Sequence, residues 1–228
     1  TWAARHISEH VTSGDKSRVR IVQFHPAMTY ESFVQGLQPV ADEEGRITFA
    51  VVKGTVVEFA GRAEKDDRDR PHVLVIDEIN RANVPKVLGE LIYLLEYRGD
   101  ENALKLQYQE PNETFSLPEN LRFLATMNTA DRSIALVDAA LRRRFHFHPF
   151  FPDRPPIKGL LKRWLGEHRP ELISVADLVD RANDLLEDRN MAIGPSHFMK
   201  KDLTDEKVVA DEDVELGATR FVDALGEV

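Results

Sequence analysis

The stretch HVLVIDE, residues 72–78, constrains the fold of this chain more than any other. It contains four consecutive apolar residues with no polar residue alternating between them, which is typical of a strand covered on both faces. Such strands belong to parallel sheets that lie between layers of helices. The stretch ends in two carboxylates, Asp77 and Glu78. The sequence therefore predicts them at the carboxyl edge of a sheet, where open α/β folds bind ligands.

Strands and helices alternate up to about Phe151. RVRIVQF (residues 18–24) and LRFLATMN (residues 121–128) are predicted to be further buried strands. Apolar residues at helical spacing between 87 and 95 predict a helix that ends at Gly99. This alternation favours an α/β fold with a parallel sheet between helices.

Three segments of the same region are predicted from shorter patterns. ITFAVVKGTVVEF (residues 47–59) is typical of two short strands, or of a strand and a turn. LKLQYQEPNETFSLP (residues 104–118) predicts a hairpin that turns at EPNE, and FHFHPF (residues 145–150) predicts a strand.

A proline-rich joint, FPDRPP, follows this region. Beyond it the apolar spacing becomes helical, at residues 157–165 and 175–186 and less regularly at 214–225. We therefore predict an α/β core over residues 1–151 and a small helical subdomain over residues 152–228.

Composition excludes several classes of protein. The net charge of −9 argues against a chain that grips nucleic acid on its own, because phosphate binding needs a concentrated basic surface. Without cysteine there is no disulfide or thiolate chemistry, so a cytoplasmic location is expected. No apolar run has membrane-spanning length. Because Thr1 is not an initiator methionine, we interpret the chain as a piece of a longer protein.

The polar residues that end the predicted strands suit phosphate chemistry. Of two adjacent carboxylates, one can hold Mg²⁺ and the other can polarise a water molecule for attack on phosphorus. Equally, Asp77 can cap a helix and Glu78 can be merely exposed. Asn128 ends the second strand, where its amide could bind a phosphate oxygen and a lytic water, or form an Asx-turn. Two buried strands that both end in such residues favour a phosphate site.

Three consecutive arginines, 142–144, end the helix predicted after Asn128. Cations at a helix C-terminus interact favourably with its dipole, by roughly 0.3–1 kcal/mol each, but one arginine would suffice for that. Three of them point in different directions around a helix, so at least one is expected to project away from its own domain. A guanidinium inserted into a neighbouring subunit's site can neutralise charge on a transferring phosphoryl group.

Two long stretches of this chain carry a family resemblance. VLVIDEINRANVPKVLGEL (residues 73–91) and ATMNTADRSIALVDAALRRRF (residues 125–145) together resemble the AAA+ motor of the McrB family, the GTPases of McrBC-type restriction systems. IVQFHPAMTYESFVQGLQP and IGPSHFM are similar to the second-strand region and the lid of that family. The resemblance runs from Thr1 to about Asp202, and the NTADRS signature is specific within AAA+ proteins. It implies a P-loop NTPase core with a C-terminal helical lid.

The resemblance also implies roles for individual residues. Asp77 corresponds to the Walker B residue that holds Mg²⁺, Glu78 to the catalytic glutamate and Asn128 to sensor 1. The remaining correspondences are Asp131 and Arg132 in the signature, Arg143 and Arg144 as arginine-finger candidates, and Ser196 and His197 where the lid approaches the nucleotide. No typical sensor-2 arginine stands in that last segment.

The phosphate-binding loop of such motors, G-x-x-x-x-G-K-[ST], is absent from the sequence, since none of the twelve glycines lies in that pattern. TWAARHI occupies the position of the helix that follows such a loop. We expect the loop to precede it in the whole protein, with Thr1 as its final threonine and its hydroxyl directed at Mg²⁺. This chain alone would then bind nucleotide poorly and be inactive.

The resemblance implies a ring, expected to be a hexamer, that hydrolyses GTP or ATP and drives a McrC-like endonuclease, while a separate domain reads DNA. One alternative is a MoxR-type or dynein-related ATPase that remodels proteins. The other is an AAA+ scaffold without hydrolysis.

Overall fold

The computed structural model describes residues 1–41, 45–109, 112–128, 139–186 and 188–199 of the chain. It divides into two compact units, Thr1–Phe147 and His148–Val228. Within these ranges, no helix is long and apolar enough to cross a membrane. The first unit contains, in chain order, α1 (Trp2–Val11), β1 (Val19–Gln23), α2 (Tyr30–Phe33), β2 (Gln35–Ala41), β3 (Ile47–Lys53), α3 (Thr55–Lys65), β4 (His72–Asp77), α4 (Val84–Leu88), α5 (Leu91–Glu96), β5 (Leu121–Ala125) and α6 (Ala139–Arg142); the second contains α7 (Leu160–His168) and α8 (Ile173–Leu185).

Strands β1, β4 and β5 form a parallel sheet in the order β1-β4-β5. In this register Gln23 lies beside Asp77, and Ala125 lies beside Ile76. The predicted parallel α/β core is therefore confirmed. The carboxyl ends of all three strands meet at one edge, which brings the polar residues after β4 and β5 together.

The central strand β4 is buried along its whole length, as its apolar composition predicts. Val73 and Val75 pack on one face with Ala4 of α1, while Leu74 and Ile76 join the larger core on the other face. The prediction of a buried strand is wrong for much of β1, where Ile21 is 40% exposed. Among the described strands β1 pairs only with β4, so it forms an edge of the sheet.

Strands β2 and β3 form a separate antiparallel hairpin, and a helix follows it directly. The prediction for residues 47–59 was correct only for its first half, because α3 begins at Thr55 rather than a second strand or a turn. Gly54 precedes this helix, and a Cβ there would lie 2.5 Å from the carbonyl carbon of Phe33, so the close approach requires glycine. Side chains at helical spacing then enter the core, among them Val56, Phe59 and Ala63.

The single helix predicted from residue 87 to Gly99 is instead two short helices, α4 and α5. They are separated at Gly89, whose φ of 52° and ψ of −128° interrupt the helical backbone. The second helix ends at Glu96.

Two predicted β elements are less regular than expected. Residues 104–118 contain one isolated antiparallel bridge, Leu104 with Phe115, instead of a hairpin ladder, and residues 110 and 111 lie outside the described part. Residues 146–150 form no strand and are exposed, because no neighbouring strand among the described residues pairs with them.

The second unit has its own small core between α7 and α8. Leu161, Leu165, Ala176 and Val179 are its buried members. The helix predicted from residue 157 begins at Leu160, since Gly159 before it has a φ of 72°. The helix predicted over residues 214–225 lies outside the described residues.

Candidate functional site

Asp77, the last residue of β4, is the centre of a hydrogen-bonded cluster at the carboxyl edge of the sheet. The Thr1 hydroxyl lies 2.8 Å from both carboxylate oxygens, and the Thr126 hydroxyl donates to Oδ1 over 2.6 Å. Thr1 is held there because α1 packs through Ala4 on the face of β4. Two hydroxyls from different elements therefore converge on one carboxylate.

The environment of Asp77 favours its ionised form. Partial burial acts to raise its pKa, but hydrogen bonds from Thr126 and Thr1, together with the positive charges of the Thr1 amino group and Arg5, hold the pKa of Asp77 below its usual range. The carboxylate is consequently ionised at neutral pH. Carboxylate and hydroxyl oxygens at this spacing suit Mg²⁺, a hard cation that prefers oxygen ligands. Among the described residues there is no group of three or more His, Asp or Glu that could form an all-protein metal site.

Glu78 adopts a left-handed backbone conformation, with φ of 55° and ψ of 45°. Such a conformation costs a residue other than glycine roughly 1–2 kcal/mol. The Glu78 side chain points towards β1 and towards the turn that follows Glu78 in the chain. There Gln23 Nε2 donates to Oε2 over 2.9 Å, and Arg81 Nη1 lies 3.2 Å from the same oxygen. The carboxylate is thus held in a defined position next to Asp77.

Asn128 lies three residues beyond the end of β5, and its side chain is exposed. Its backbone carbonyl accepts a hydrogen bond from Asn80 Nδ2 over 3.1 Å. Asn80 is only 8% exposed, and its Oδ1 atom has no hydrogen-bond partner in the described part of the chain. The loop after β4 therefore holds the backbone at Asn128, on the same edge as Asp77 and Glu78.

The arginines after α6 have different surroundings. Arg143 is exposed, whereas Arg144 is 17% exposed and pairs with Glu96 of α5 over 3.0 Å. Phe145 packs against the core of the first unit and holds the end of the segment. Of the two finger candidates, Arg143 is the one that projects into solvent.

The other four predicted site residues lie outside the described residues or in the second unit. Asp131 and Arg132 lie outside the described residues. Ser196 and His197 belong to the second unit, where they form a short 3₁₀ turn, Pro195–His197, and are exposed.

Four residues of the site were not singled out from the sequence: Gln23, Asn80, Arg81 and Thr126. Each is polar and lies at or just after the end of a sheet strand, which is the signal that had selected Asp77 and Asn128. Their contacts depend on the register of neighbouring strands, which single-strand patterns do not reveal.

Comparisons with known proteins match most of the chain. Residues 1–145 match the AAA domain family, dynein-related subfamily. The Type IV methyl-directed restriction enzyme EcoKMcrB subunit of Escherichia coli (strain K12) is 36% identical over an alignment of 214 residues, covering 87% of this chain and 44% of that protein. The Type II restriction enzyme BsuMI component YdiS of Bacillus subtilis (strain 168) is 27% identical over an alignment of 159 residues, covering 55% of this chain and 46% of that protein. The chain spans less than half the length of these curated relatives.

Proposed function

Because this chain is an AAA+ domain of the dynein-related subfamily and the McrB family, we propose that it is the nucleoside-triphosphate-hydrolysing motor of a McrBC-like restriction system. The observation that most supports hydrolysis is the pair of adjacent carboxylates at the sheet edge. One, Asp77, is bonded to the Thr1 hydroxyl, and the other, Glu78, is held separately by Gln23 and Arg81. Two carboxylates with different surroundings can divide the work of binding and of water activation.

Asp77 and Thr1 would hold Mg²⁺, directly or through water. The bound cation supplies charge neutralisation for the β- and γ-phosphates of GTP or ATP. Asp77 is suited to this role because it stays ionised at neutral pH. The α1 helix keeps the Thr1 hydroxyl directed at the carboxylate, since its packing on β4 fixes the start of the helix.

Glu78 would accept a proton from the attacking water, while the Asn128 amide orients that water and a γ-phosphate oxygen. Gln23 and Arg81 hold the Glu78 carboxylate before reaction. When the Glu78 carboxylate leaves these two partners and binds the attacking water instead, it would be placed to act as the base. Asp131 and Arg132 are proposed to complete this part of the site through the NTADRS signature.

The arginines would complete the site of a neighbouring subunit. Arg143 is the stronger finger candidate, because it is exposed while Arg144 pairs with Glu96 in its own unit. An arginine finger supplied in trans is worth about 10³–10⁵ in rate where it has been measured. The proposal therefore includes a cytoplasmic homo-oligomeric ring, expected to be a hexamer.

The remaining parts of the proposal concern the whole protein. Residues 152–228 would act as the lid, with Ser196 and His197 approaching the nucleotide. A McrC-like endonuclease subunit would be driven by the ring, and a domain outside this chain would read DNA. The two curated relatives, both components of restriction enzymes, support this assignment.

Phosphate release from GTP and from ATP by the full-length protein tests the proposal. We expect hydrolysis, with GTP preferred. Glu78→Gln should keep nucleotide binding and abolish turnover, because it removes the base and leaves Asp77 intact. Glu58→Gln is the matched control, since Glu58 is an exposed carboxylate on α3 and should leave turnover unchanged. Weakened binding with normal turnover in Glu78→Gln would refute the role of this residue.

The match to the dynein-related subfamily also supports a second candidate, an ATPase that remodels proteins. That candidate predicts a preference for ATP and no nuclease subunit co-purifying with the full-length protein. Absence of turnover with both nucleotides would instead favour a scaffold.

A further inference from the structure

Thr126 is the residue directly after β5, and each of its polar atoms forms a hydrogen bond with residues 76–79. Its N–H donates to the Ile76 carbonyl over 2.9 Å, and its carbonyl accepts from the Ile79 N–H over 2.9 Å. Its hydroxyl accepts from the Glu78 N–H over 3.1 Å and donates to Asp77 Oδ1 over 2.6 Å. Four hydrogen bonds of one half-buried residue therefore fix the turn that carries both carboxylates.

The hydrogen bond from the Glu78 N–H stabilises an unfavourable backbone conformation. Glu78 is one of two residues other than glycine with positive φ in the described part, so its conformation persists only if its surroundings hold it. The Thr126 hydroxyl and the Ile79 bond hold the peptides on both sides of Glu78. Since the backbone at Glu78 sets where its side chain starts, Thr126 also sets the direction of that carboxylate.

The bond to Asp77 Oδ1 acts on the other carboxylate. A carboxylate oxygen that accepts from a fixed hydroxyl cannot rotate freely, and its second oxygen is then aimed in a defined direction. For Asp77 that direction includes the Thr1 hydroxyl, 2.8 Å from Oδ2. One hydroxyl thus orients the metal-binding and the water-activating carboxylate together.

We propose that Thr126 is a positioning residue of the hydrolytic site, whose single hydroxyl couples the geometry of Asp77 to that of Glu78. This inference rests on the proposed NTPase function. It assigns to the strand end before Asn128 a role that is separate from any contact of Asn128 with water or phosphate.

The test uses three variants of the full-length protein. Thr126→Val keeps the shape of the side chain and removes the hydroxyl, and Thr126→Ser keeps the hydroxyl. Thr12→Val is the control, because it removes another internal hydroxyl bond, from the buried Thr12 to the Ser8 carbonyl, at the opposite end of α1 from Thr1. The readouts are kcat and KM, the affinity for a fluorescent nucleotide at increasing Mg²⁺ concentration, and the melting temperature.

We expect Thr126→Val to lower kcat by about 10–100-fold, which is the usual effect of losing a group that orients a metal ligand. Nucleotide affinity should increase with Mg²⁺ concentration, and the concentration that gives half of this increase should be higher in Thr126→Val by a similar factor. The nucleotide affinity without Mg²⁺ should stay unchanged. Thr126→Ser should restore both values to near those of the natural protein. Thr12→Val should lower the melting temperature without changing either value.

Three results would overturn the proposal: an unchanged kcat and Mg²⁺ dependence in a folded Thr126→Val protein, failure of Thr126→Ser to rescue, or equal losses in Thr12→Val. If Thr126→Val does not fold, Thr126→Ala takes its place beside the serine variant. A natural protein that binds nucleotide without turning it over refutes the proposed hydrolysis, and the Mg²⁺ dependence of binding still decides the role of Thr126. A natural protein that binds no nucleotide refutes both.

Discussion

Asp15 is a residue whose charge holds a turn together at the amino end of the sheet. Its carboxylate accepts from the Ser17 hydroxyl over 2.6 Å, from the Ser17 N–H over 3.0 Å and from Arg18 Nε over 3.0 Å. The bonds from Ser17 and then from Arg18 lower the pKa of Asp15 to about 2. Arg18, held in this way, donates in turn to the backbone carbonyls of Thr12 and Pro71. One carboxylate therefore links the end of α1 to the start of β1 and β4.

Asp15→Asn should lower the melting temperature at pH 7, because the amide keeps the shape of the side chain and loses the charge that these donors bind. A carboxyl whose pKa is lower in the folded than in the unfolded chain, where it is about 3.9, stabilises above that value and loses the effect as the pH falls towards 2. The difference from the natural protein should hence shrink between about pH 4 and pH 2. Melting curves from pH 7 down to about pH 2 measure it.

Asp69→Asn is the control for this series. The Asp69 carboxylate is exposed and accepts no hydrogen bond from the described residues. Its variant should melt like the natural protein throughout. A pH-independent loss in Asp15→Asn would contradict the ionic explanation.

At the scale of residues, the sequence selected candidate site residues but did not show their contacts. Asp77 stood out because it ends an unbroken apolar run. Thr126 did not, since its importance follows from the register that aligns Ala125 with Ile76. That register is a property of two strands separated by more than forty residues of chain, and neither strand's own pattern reveals it.

Gly89 is the point at which one expected helix becomes two elements. A Cβ at Gly89 would lie 3.0 Å from Tyr30 Cε2 and 3.1 Å from Cδ2. The Tyr30 ring cannot easily move away, because it is buried and its hydroxyl donates to Glu90 Oε1 over 2.7 Å. The burial of Tyr30 and its bond to Glu90 also raise the pKa of its hydroxyl, which remains protonated. The break between α4 and α5 is therefore fixed by packing against α2 as well as by the glycine.

Gly89→Ala should destabilise the protein by about 1–3 kcal/mol, because it combines a backbone conformation that is unfavourable for alanine with contact against Tyr30. Gly61→Ala is the matched control. Gly61 lies inside α3, and a Cβ there meets nothing within 4 Å, so the change should stabilise by up to about 1 kcal/mol. Chemical denaturation of the two variants measures both values. Equal effects of the same sign would contradict this account of Gly89.

Element boundaries were predictable only where side-chain spacing determined them. The spacing of residues 87–95 fits one continuous helix, and nothing in it shows that Tyr30 occupies the space beside Gly89. The start of α3 was missed for a similar reason. VVKGTVVEF is rich in β-branched residues, which favour strands, but Gly54 packs on the Phe33 backbone and the buried side chains that follow have helical spacing.

At the scale of the whole molecule, the position of Arg143 bears on assembly. Arg143 is exposed in this chain, although it lies within two residues of Phe145, which packs on the core. In the ring that we propose, an exposed cation next to a residue anchored in the core would be well placed to act on a neighbouring subunit. Arg144, by contrast, contributes to its own unit through Glu96.

Mixing full-length Arg143→Ala subunits with Glu78→Gln subunits should recover part of the hydrolytic activity that each variant lacks alone. Recovery is expected because the finger of a Glu78→Gln subunit can complete the site of an adjacent Arg143→Ala subunit. Steady-state phosphate release over a range of mixing ratios measures it. Arg144→Ala serves as the comparison and should chiefly lower the melting temperature, since it breaks the pair with Glu96.

The parallel sheet was predictable at this scale, whereas the surroundings of the arginines were not. Apolar runs and their polar ends predicted parallel strands with one functional edge. Three successive arginines predicted only that some would point outward. The pairing of Arg144 with Glu96 depends on how the segment after α6 meets α5, a contact between elements that no local pattern encodes.

The ladder between Thr126 and residues 76–79 has a consequence for anyone who builds chimaeras from relatives of this chain. The two backbone bonds, Thr126 to Ile76 and Ile79 to Thr126, join the segments regardless of which side chains they carry. If residues 76–79 alone were replaced by those of a relative, the Thr126 hydroxyl would face carboxylates that it is not positioned to bind. Residues 76–79 and 125–128 are therefore best exchanged as one cassette, as if they were contiguous in the gene.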